Sequence, residues 1–254
     1  MRAKVESLSG AVRAIQSELS LEPALNPADA VQLARGMSSI FERVRGLVRQ
    51  LGTLTAVVDG KLLVFGGFHN DAIQATSRVE EYDPVADRWR RLGDMPVPVT
   101  HGTAAVVKGE IWIAGGFVGD NPGPATDRVW RYRPGEDRWS EGPRLPAPRG
   151  SGGLVALPDG SLHYFGGWLP DRITDSPDHW RLEPGDSIWH PRSPLPNPRG
   201  HLSAVELLGQ VYAIGGAHRH DPIRVDVAVV HRYDPVTDQW TEVTWTAPGC
   251  MLLN

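Results

Sequence analysis

Two rhythms of apolar residues divide the chain. Val5, Leu8, Val12, Ile15 and Leu19 step by 3, 4, 3 and 4, which sets them on one helix face. After the two prolines of "LEPALNPAD", the residues Val31, Ala34, Met37, Ile40 or Phe41, Val44, Leu47 or Val48 and Leu51 resume helical spacing. Asn26 and Pro27 suit the cap and first position of that second helix. The pattern predicts a helical hairpin over 1–51.

Near Gly52 the rhythm changes to short apolar runs, each closed by a glycine pair: "LLVFGG" ending at Gly67, "IWIAGG" at Gly116, "LHYFGG" at Gly167 and "VYAIGG" at Gly216. Six residues before each pair stands one more glycine, Gly60, Gly109, Gly160 or Gly209, placed where a hairpin turn needs positive φ. Further on, "YDPVADRW", "YRPGEDRW", "LEPGDSIW" and "YDPVTDQW" put tryptophans at 89, 139, 189 and 240, a period of 50, 50 and 51 residues. The unit reads strand, Gly turn, strand, Gly-Gly, variable loop, strand, Asp-Pro turn, strand. Four antiparallel strands in about 50 residues make one propeller blade. The blades predicted are about 52–97, 98–147, 148–197 and 198–245, with a tail over 246–254.

Composition agrees with this reading. Glycine and proline together supply 50 of 254 residues, and nine tryptophans are many for the length. A net charge of −4 gives no bulk attraction to nucleic acid or to an anionic membrane. Residues 1–51 are slightly basic (7 basic, 5 acidic) and the remainder acidic. Cys250 is the only cysteine, so the chain has no intrachain disulfide and no cysteine-based zinc knuckle. No run approaches 18 apolar residues and the N-terminus has no leader-like stretch, so a cytoplasmic location is expected. Phosphate-loop, dinucleotide and G-x-S-x-G motifs are absent, and the Gly-Gly pairs sit in strand contexts that begin no helix. No cofactor is expected.

The recurrence of Gly-Gly, Tyr and Trp, with the links "MPVPVTHG", "LPAPRGSG" and "LPNPRGHL", resembles the kelch repeat over about residues 53–243. The look is closest to bacterial galactose-oxidase-like kelch proteins, and 23 Arg against 3 Lys fits a GC-rich bacterial genome. The resemblance implies a mostly β, kelch-type β-propeller. Such propellers usually have six or seven blades. Four four-stranded blades predict an open or partial arc, a tight ring being the alternative, with the helical hairpin available to cover an exposed edge. Leu182 stands where the other repeats have Tyr, and "TWTAPGCM" lacks the Leu-Pro link of a further blade.

Strand parity puts the post-Gly-Gly loops and the inter-blade links at one rim. Blade one brings Phe68, His69, Asn70 and Asp71, and blade two Phe117, Asp120 and Asn121. Blade three adds Trp168, Asp171 and Arg172, and blade four His218, Arg219, His220 and Asp221. The links add His101, Arg149, Arg199 and His201. From this rim the expected ligand-binding set is Trp168, Arg149, Arg199, His101, His201, His69, Asp171, Arg172, His218, Arg219 and His220. Aromatic faces beside planar polar groups suit a sugar, and the same set suits an acidic peptide. The bland alternative is that Phe68, Phe117 and Trp168 pack between blades.

"HRHD" offers two His and one Asp to a metal, or forms a solvated loop. His163 and His179, on adjacent strands, are expected to hydrogen-bond within blade three. The leading expectation is a non-enzymatic propeller that binds a glycan or a protein, with self-association through the N-terminal helices or open blade edges. The alternatives are a sugar mutarotase resembling kelch-type N-acetylneuraminate epimerases, with Arg149, Arg199, His101 and His201 recruited, and a truncated propeller without activity of its own. The galactose oxidase copper site needs a cysteine cross-linked to a tyrosine, and Cys250 lies beyond the last repeat.

Overall fold

A computed structural model describes residues 52–70, 72–219 and 223–243. The helical hairpin expected over 1–51 lies outside them, as do Asp71, His220 and Asp221. What is described is all β and forms four blades.

Blade one is the antiparallel sheet β1 (Leu54–Val58), β2 (Lys61–Phe65), β3 (Val79–Asp83) and β4 (Arg88–Leu92). Blade two has β6 (Thr103–Val107), β7 (Glu110–Ala114), β9 (Val129–Arg133) and β10 (Arg138–Glu141), with β5 (Val99–Thr100) and β8 (Phe117–Val118) paired beside it. Blade three has β11 (Gly153–Ala156), β12 (Leu162–Phe165), β13 (His179–Leu182) and β14 (His190–Pro191). Blade four has β15 (Ser203–Leu207), β16 (Gln210–Ile214), β19 (Val230–Asp234) and β20 (Gln239–Glu242), with β17 (Ala217–His218) and β18 (Val225–Asp226) as a separate ribbon.

The first hairpins turn where the glycines predict. Asp59-Gly60, Lys108-Gly109 and Leu208-Gly209 all have positive φ at both residues, the geometry of a two-residue hairpin that matches strand twist. The inner strands stand in chain order, β1 against β6, β6 against β11 and β11 against β15. Between them lie three apolar layers. Leu54, Phe65 and Val79 pack on Ile111, Ile113 and Tyr132. Ala105, Ala114 and Val129 pack on Leu154, Tyr164 and Trp180. Val155 and Phe165 pack on Val211, Ala213 and Tyr233. On the outward faces of the end blades the exposure is uneven: Val57 on blade one is 64% exposed while Val64 and Tyr82 beside it are buried, and Val205 and Ile214 on blade four are 45% and 40% exposed.

The recurring eight residues clasp blades two, three and four each to the one before it. Tyr132 lies opposite Trp139, and Tyr233 opposite Trp240, across the outer hairpin. The indole N–H of Trp139 donates to the Gly93 carbonyl (3.3 Å), that of Trp189 to Pro143 (2.9 Å) and that of Trp240 to Ser193 (2.9 Å). Beside two of these, an Asp at positive φ binds both sides. Asp137 accepts from Tyr132 Oη (2.6 Å) and from the Gly93 N–H (2.9 Å), while Asp238 accepts from Tyr233 Oη (2.7 Å) and from the Ser193 N–H (3.0 Å). In blade three Ser187 replaces that Asp just where Leu182 replaces the Tyr. The two changes go together, because a lone Tyr hydroxyl or a lone carboxylate would lose its partner. Trp189 keeps its reach into blade two, and the outer strand there shortens to His190–Pro191.

Candidate functional site

The rim opposite the Asp-Pro hairpins is built from links laid beside post-Gly-Gly loops. Val99–Thr100 pairs with Phe117–Val118, Gly150 bridges Trp168 and Gly200 bridges Ala217. Links and loops therefore emerge together, as strand parity requires. A backbone belt crosses the blades here: His101 N–H donates to Gly52, Ser151 N–H to His101 and His201 N–H to Ser151. His101, Ser151 and His201 all hold φ between +51 and +56, which non-glycine residues rarely adopt. The belt brings the imidazoles of blades two and four together, stacked at 5.2 Å and 10°.

The aromatic residues of this rim face inward. Trp168 and Phe117 are fully enclosed and Phe68 nearly so. Trp168 packs against His201 (4.5 Å), and His101 meets Phe68 (5.8 Å) and Phe117 (5.9 Å) edge-on. With its ring covered, Trp168 presents no face on which a sugar could stack. The link arginines are also enclosed. Arg149 donates to Ser176 Oγ, the Pro148 carbonyl and the Asp178 carboxylate, and lies over Trp180 at 5.2 Å. Arg199 donates to the carbonyls of Asn197, Ala213 and Gly215, with His231 Nδ1 at 3.5 Å. Burial lowers its pKa to about 10, so it remains a cation at neutral pH, stabilised among the described residues by carbonyl dipoles.

Other members of the expected set tie neighbouring loops. Arg172 sits 3.8 Å over the Phe117 ring and donates to Asn121 and the Gly123 carbonyl, joining blade three to blade two. Desolvation lowers its pKa. His218 Nδ1 lies 2.9 Å from Asp175, which also accepts from the Arg219 N–H. Asp120 accepts from the Ala75 N–H of blade one. His69 contacts the Gln74 carbonyl within its own loop, and Asp171 caps the turn at Ile173 and Thr174. Asp171 sits below the usual carboxylate range because the Thr174 hydroxyl and two backbone N–H groups bind it. His69, Asp171, Arg219 and His201 are solvent-exposed.

Three isoleucines at the loop tips escape the sequence pattern. Ile73, Ile173 and Ile223 are 43%, 55% and 47% exposed, and Ile73 and Ile173 occupy the same position, six residues beyond the Gly-Gly pair. The signal was present in that shared offset, but a loop isoleucine reads as core until its burial is known. His220 and Asp221 of "HRHD" are not described, and among the described residues no group of three or more His, Cys, Asp and Glu could hold a metal.

At the opposite rim a groove of about 330 Å³ opens between blades two and three, walled by Trp112, Lys108, Glu110, Arg131, Arg133 and Gly185 among others. Arg131 covers the Trp112 ring at 4.7 Å, and Glu110 bridges Arg131 and Arg133.

Blades of one design clasped in series, with belted links and protruding loops at one end, define a repeat propeller that presents variable loops on a rigid frame. The chain belongs to the kelch-repeat β-propeller family: the KLHDC2/KLHL20/DRC7 Kelch-repeats domain model matches residues 48–216, and the Kelch motif matches 198–244. Among similar proteins, the human Kelch-like protein 33 is 40% identical over 68 residues, 27% of this chain. The Arabidopsis thaliana F-box/kelch-repeat protein At1g67480 is 37% identical over 67 residues, 26% of this chain. The mouse Influenza virus NS1A-binding protein homolog is 37% identical over 65 residues, also 26% of this chain. These matches span 12, 18 and 10% of the relatives' own lengths. The solved structure of YjhT superposes with a TM-score of 0.66 at 15% identity, covering 76% of this chain and 70% of that one, a likeness of fold.

Proposed function

We propose that this propeller is a protein-binding module that engages its partner through the loop rim. The observation that carries the reading is the inversion of expected roles there: the aromatics are enclosed, and the apolar groups offered to solvent include Ile73, Ile173, Ile223 and Val225. Aliphatic knobs among His69, Asp171 and Arg219 suit a polypeptide surface with apolar anchors and a polar margin. One of the similar proteins is named for binding a protein, which supports the same class of partner. A glycan ligand draws less support, because Trp168 offers no open stacking face. The mutarotase alternative needs an anion clamp beside an acid–base group, and Arg149 and Arg199 are committed to internal acceptors. Val205 and Ile214, exposed on the outward face of blade four, favour self-association as well.

The test is selection from a phage-displayed random peptide library on the immobilised chain. The parent is expected to enrich a peptide family that the double variant Ile73→Asp, Ile173→Asp loses at least tenfold, while Arg133→Ala in the opposite groove keeps it. Equal enrichment by the parent and the rim variant would remove the rim from consideration. Loss with Arg133→Ala alone would move the site to the groove.

A further inference from the structure

We infer that the groove between blades two and three is a second binding site, which takes an aromatic side chain carried on an acidic segment of a protein partner. The inference starts from a departure in the repeat. At the clasps of blades two and four a Tyr hydroxyl, an Asp carboxylate and a backbone N–H close the junction: Tyr132, Asp137 and Gly93 in one, Tyr233, Asp238 and Ser193 in the other. Between blades two and three all three members change together. Leu182 and Ser187 replace the Tyr and the Asp, and Pro143, which stands where Gly93 and Ser193 do, has no N–H to give.

The groove of about 330 Å³ opens at this same junction, with Leu182 in its wall. Trp112 forms another part of the wall. It occupies the strand position of Leu63 and His163, which are 1% and 0% exposed, yet it is only partly covered. With Arg131 over its ring, the wall joins an indole to a guanidinium, a surface on which an aromatic ring packs well. At the neighbouring junctions Tyr132 and Tyr233 are fully buried, whereas here the shorter Leu182 leaves room for a guest ring. Ligand pockets run from about 300 to 1,000 Å³, so the groove suits one ring and little more. A second hollow of about 200 Å³ shares Lys108, Glu110 and Arg133 with it and gives the flanking residues of a peptide somewhere to lie.

Charge selects the flanks. On the blade-two wall a single carboxylate, Glu110, serves both Arg131 (2.7 Å) and Arg133 (2.9 Å), and Lys108 has no ion pair among the described residues. In the second hollow Glu136 is held by Arg138 (2.8 Å) as well as by Arg133 (3.5 Å). The acids of the blade-three wall are answered from their own blade, Glu183 by Arg181 (3.0 Å) and Asp186 by His190 (3.2 Å). The blade-two wall is therefore left cationic, and acidic residues beside the guest ring complement it. This site lies at the opposite rim from the loops, so it does not depend on the reading of the loop rim given above.

Fluorescence anisotropy on the full chain with a labelled peptide, Gly-Asp-Glu-Tyr-Glu-Asp-Gly, tests this. The parent is expected to bind it about tenfold more tightly than the same peptide with Ala in place of Tyr, or with Lys in place of its acids. Leu182→Tyr combined with Ser187→Asp supplies the chain's own phenol, so this filled variant should bind about tenfold more weakly while unfolding at no lower a urea concentration than the parent. Lys108→Asp repeats the test from the other wall should the filled variant unfold early, and Asp59 already holds the equivalent turn position at φ +50. Ile73→Asp with Ile173→Asp should leave this binding unchanged, which separates the groove from the loop rim. No binding by the parent, equal binding of the Tyr and Ala peptides, or parent-like binding by a folded filled variant or by Lys108→Asp would overturn the inference. So would binding lost only in the rim variant.

Discussion

His163 and His179 show how much a single residue pair can hold. His179 Nδ1 lies 3.0 Å from the Ser193 carbonyl, so it carries the proton and donates there, and Nε2 accepts from His163 Nδ1 at 2.8 Å. His163 Nε2 is left buried with no hydrogen-bond partner among the described residues. Burial lowers His163 to about 3, with His179 and Arg181 adding to the shift, and lowers His179 to about 4. Burial and then Arg199 lower His231 too. An unfolded histidine begins to take up a proton near 6.5 while the folded pair does not, so below that pH the unfolded state binds more protons and stability falls. Each histidine should contribute a slope of up to about 1.4 kcal/mol per pH unit below about pH 6. Urea unfolding at pH 7 and pH 5 is expected to show a lower midpoint at pH 5, and His163→Leu should flatten the difference. Equal midpoints for the parent would refute the neutral pair. That the two rings meet was legible from their places on adjacent strands. Their depth was not, because it depends on Tyr233 and Trp240 of the following blade packing over His179 at 4.5 and 5.4 Å. Leu208 carries a second residue-scale consequence. It holds φ +54 in a turn and is 80% exposed, so Leu208→Asn should raise stability by about 1 kcal/mol in the same assay, and a loss would mean the side chain has a use in the turn.

Within an element, the outer hairpin explains why one eight-residue phrase recurs. Its Tyr and Trp were legible as a packing unit, since they repeat at fixed offsets; the Asp between them was not, because its side chain reads as a turn residue until its partners are seen. That they reach into the preceding blade was not, because equivalence between repeats does not say which neighbour each side chain touches. Trp189→Ala removes a buried ring together with its bond to Pro143 and should cost about 3–5 kcal/mol in chemical denaturation. A loss under about 1 kcal/mol would leave the clasp without energetic weight. Asp137→Ala strands both the Tyr132 hydroxyl and the Gly93 N–H, at a cost of about 2 kcal/mol. Adding Tyr132→Leu should recover part of that loss, since it restores the Leu and non-acid combination that blade three uses naturally. A double variant whose loss equals the sum of the two single losses would show that the two positions are not coupled.

At the scale of the molecule, repeat count and blade order were legible because fifty-residue periodicity survives loop variation. The narrower likeness to bacterial galactose-oxidase-like proteins leaned on runs such as "IWIAGG" and "VYAIGG", whose residues pack blade against blade and so carry little about ligands. The rim was legible as a place and not as a surface: burial of Trp168, Arg149 and Arg199 follows from neighbouring blades closing over them. The clasps also have a direction. In each of blades two to four the indole donor belongs to the later blade and the carbonyl acceptor to the earlier one, 46 or 47 residues upstream. On the ribosome, a newly released hairpin therefore meets an acceptor that has already been synthesised, and no clasp has to wait for chain still inside the exit tunnel. Assembly can advance from the N-terminal blade one step at a time, each completed sheet serving as the template on which the next is secured.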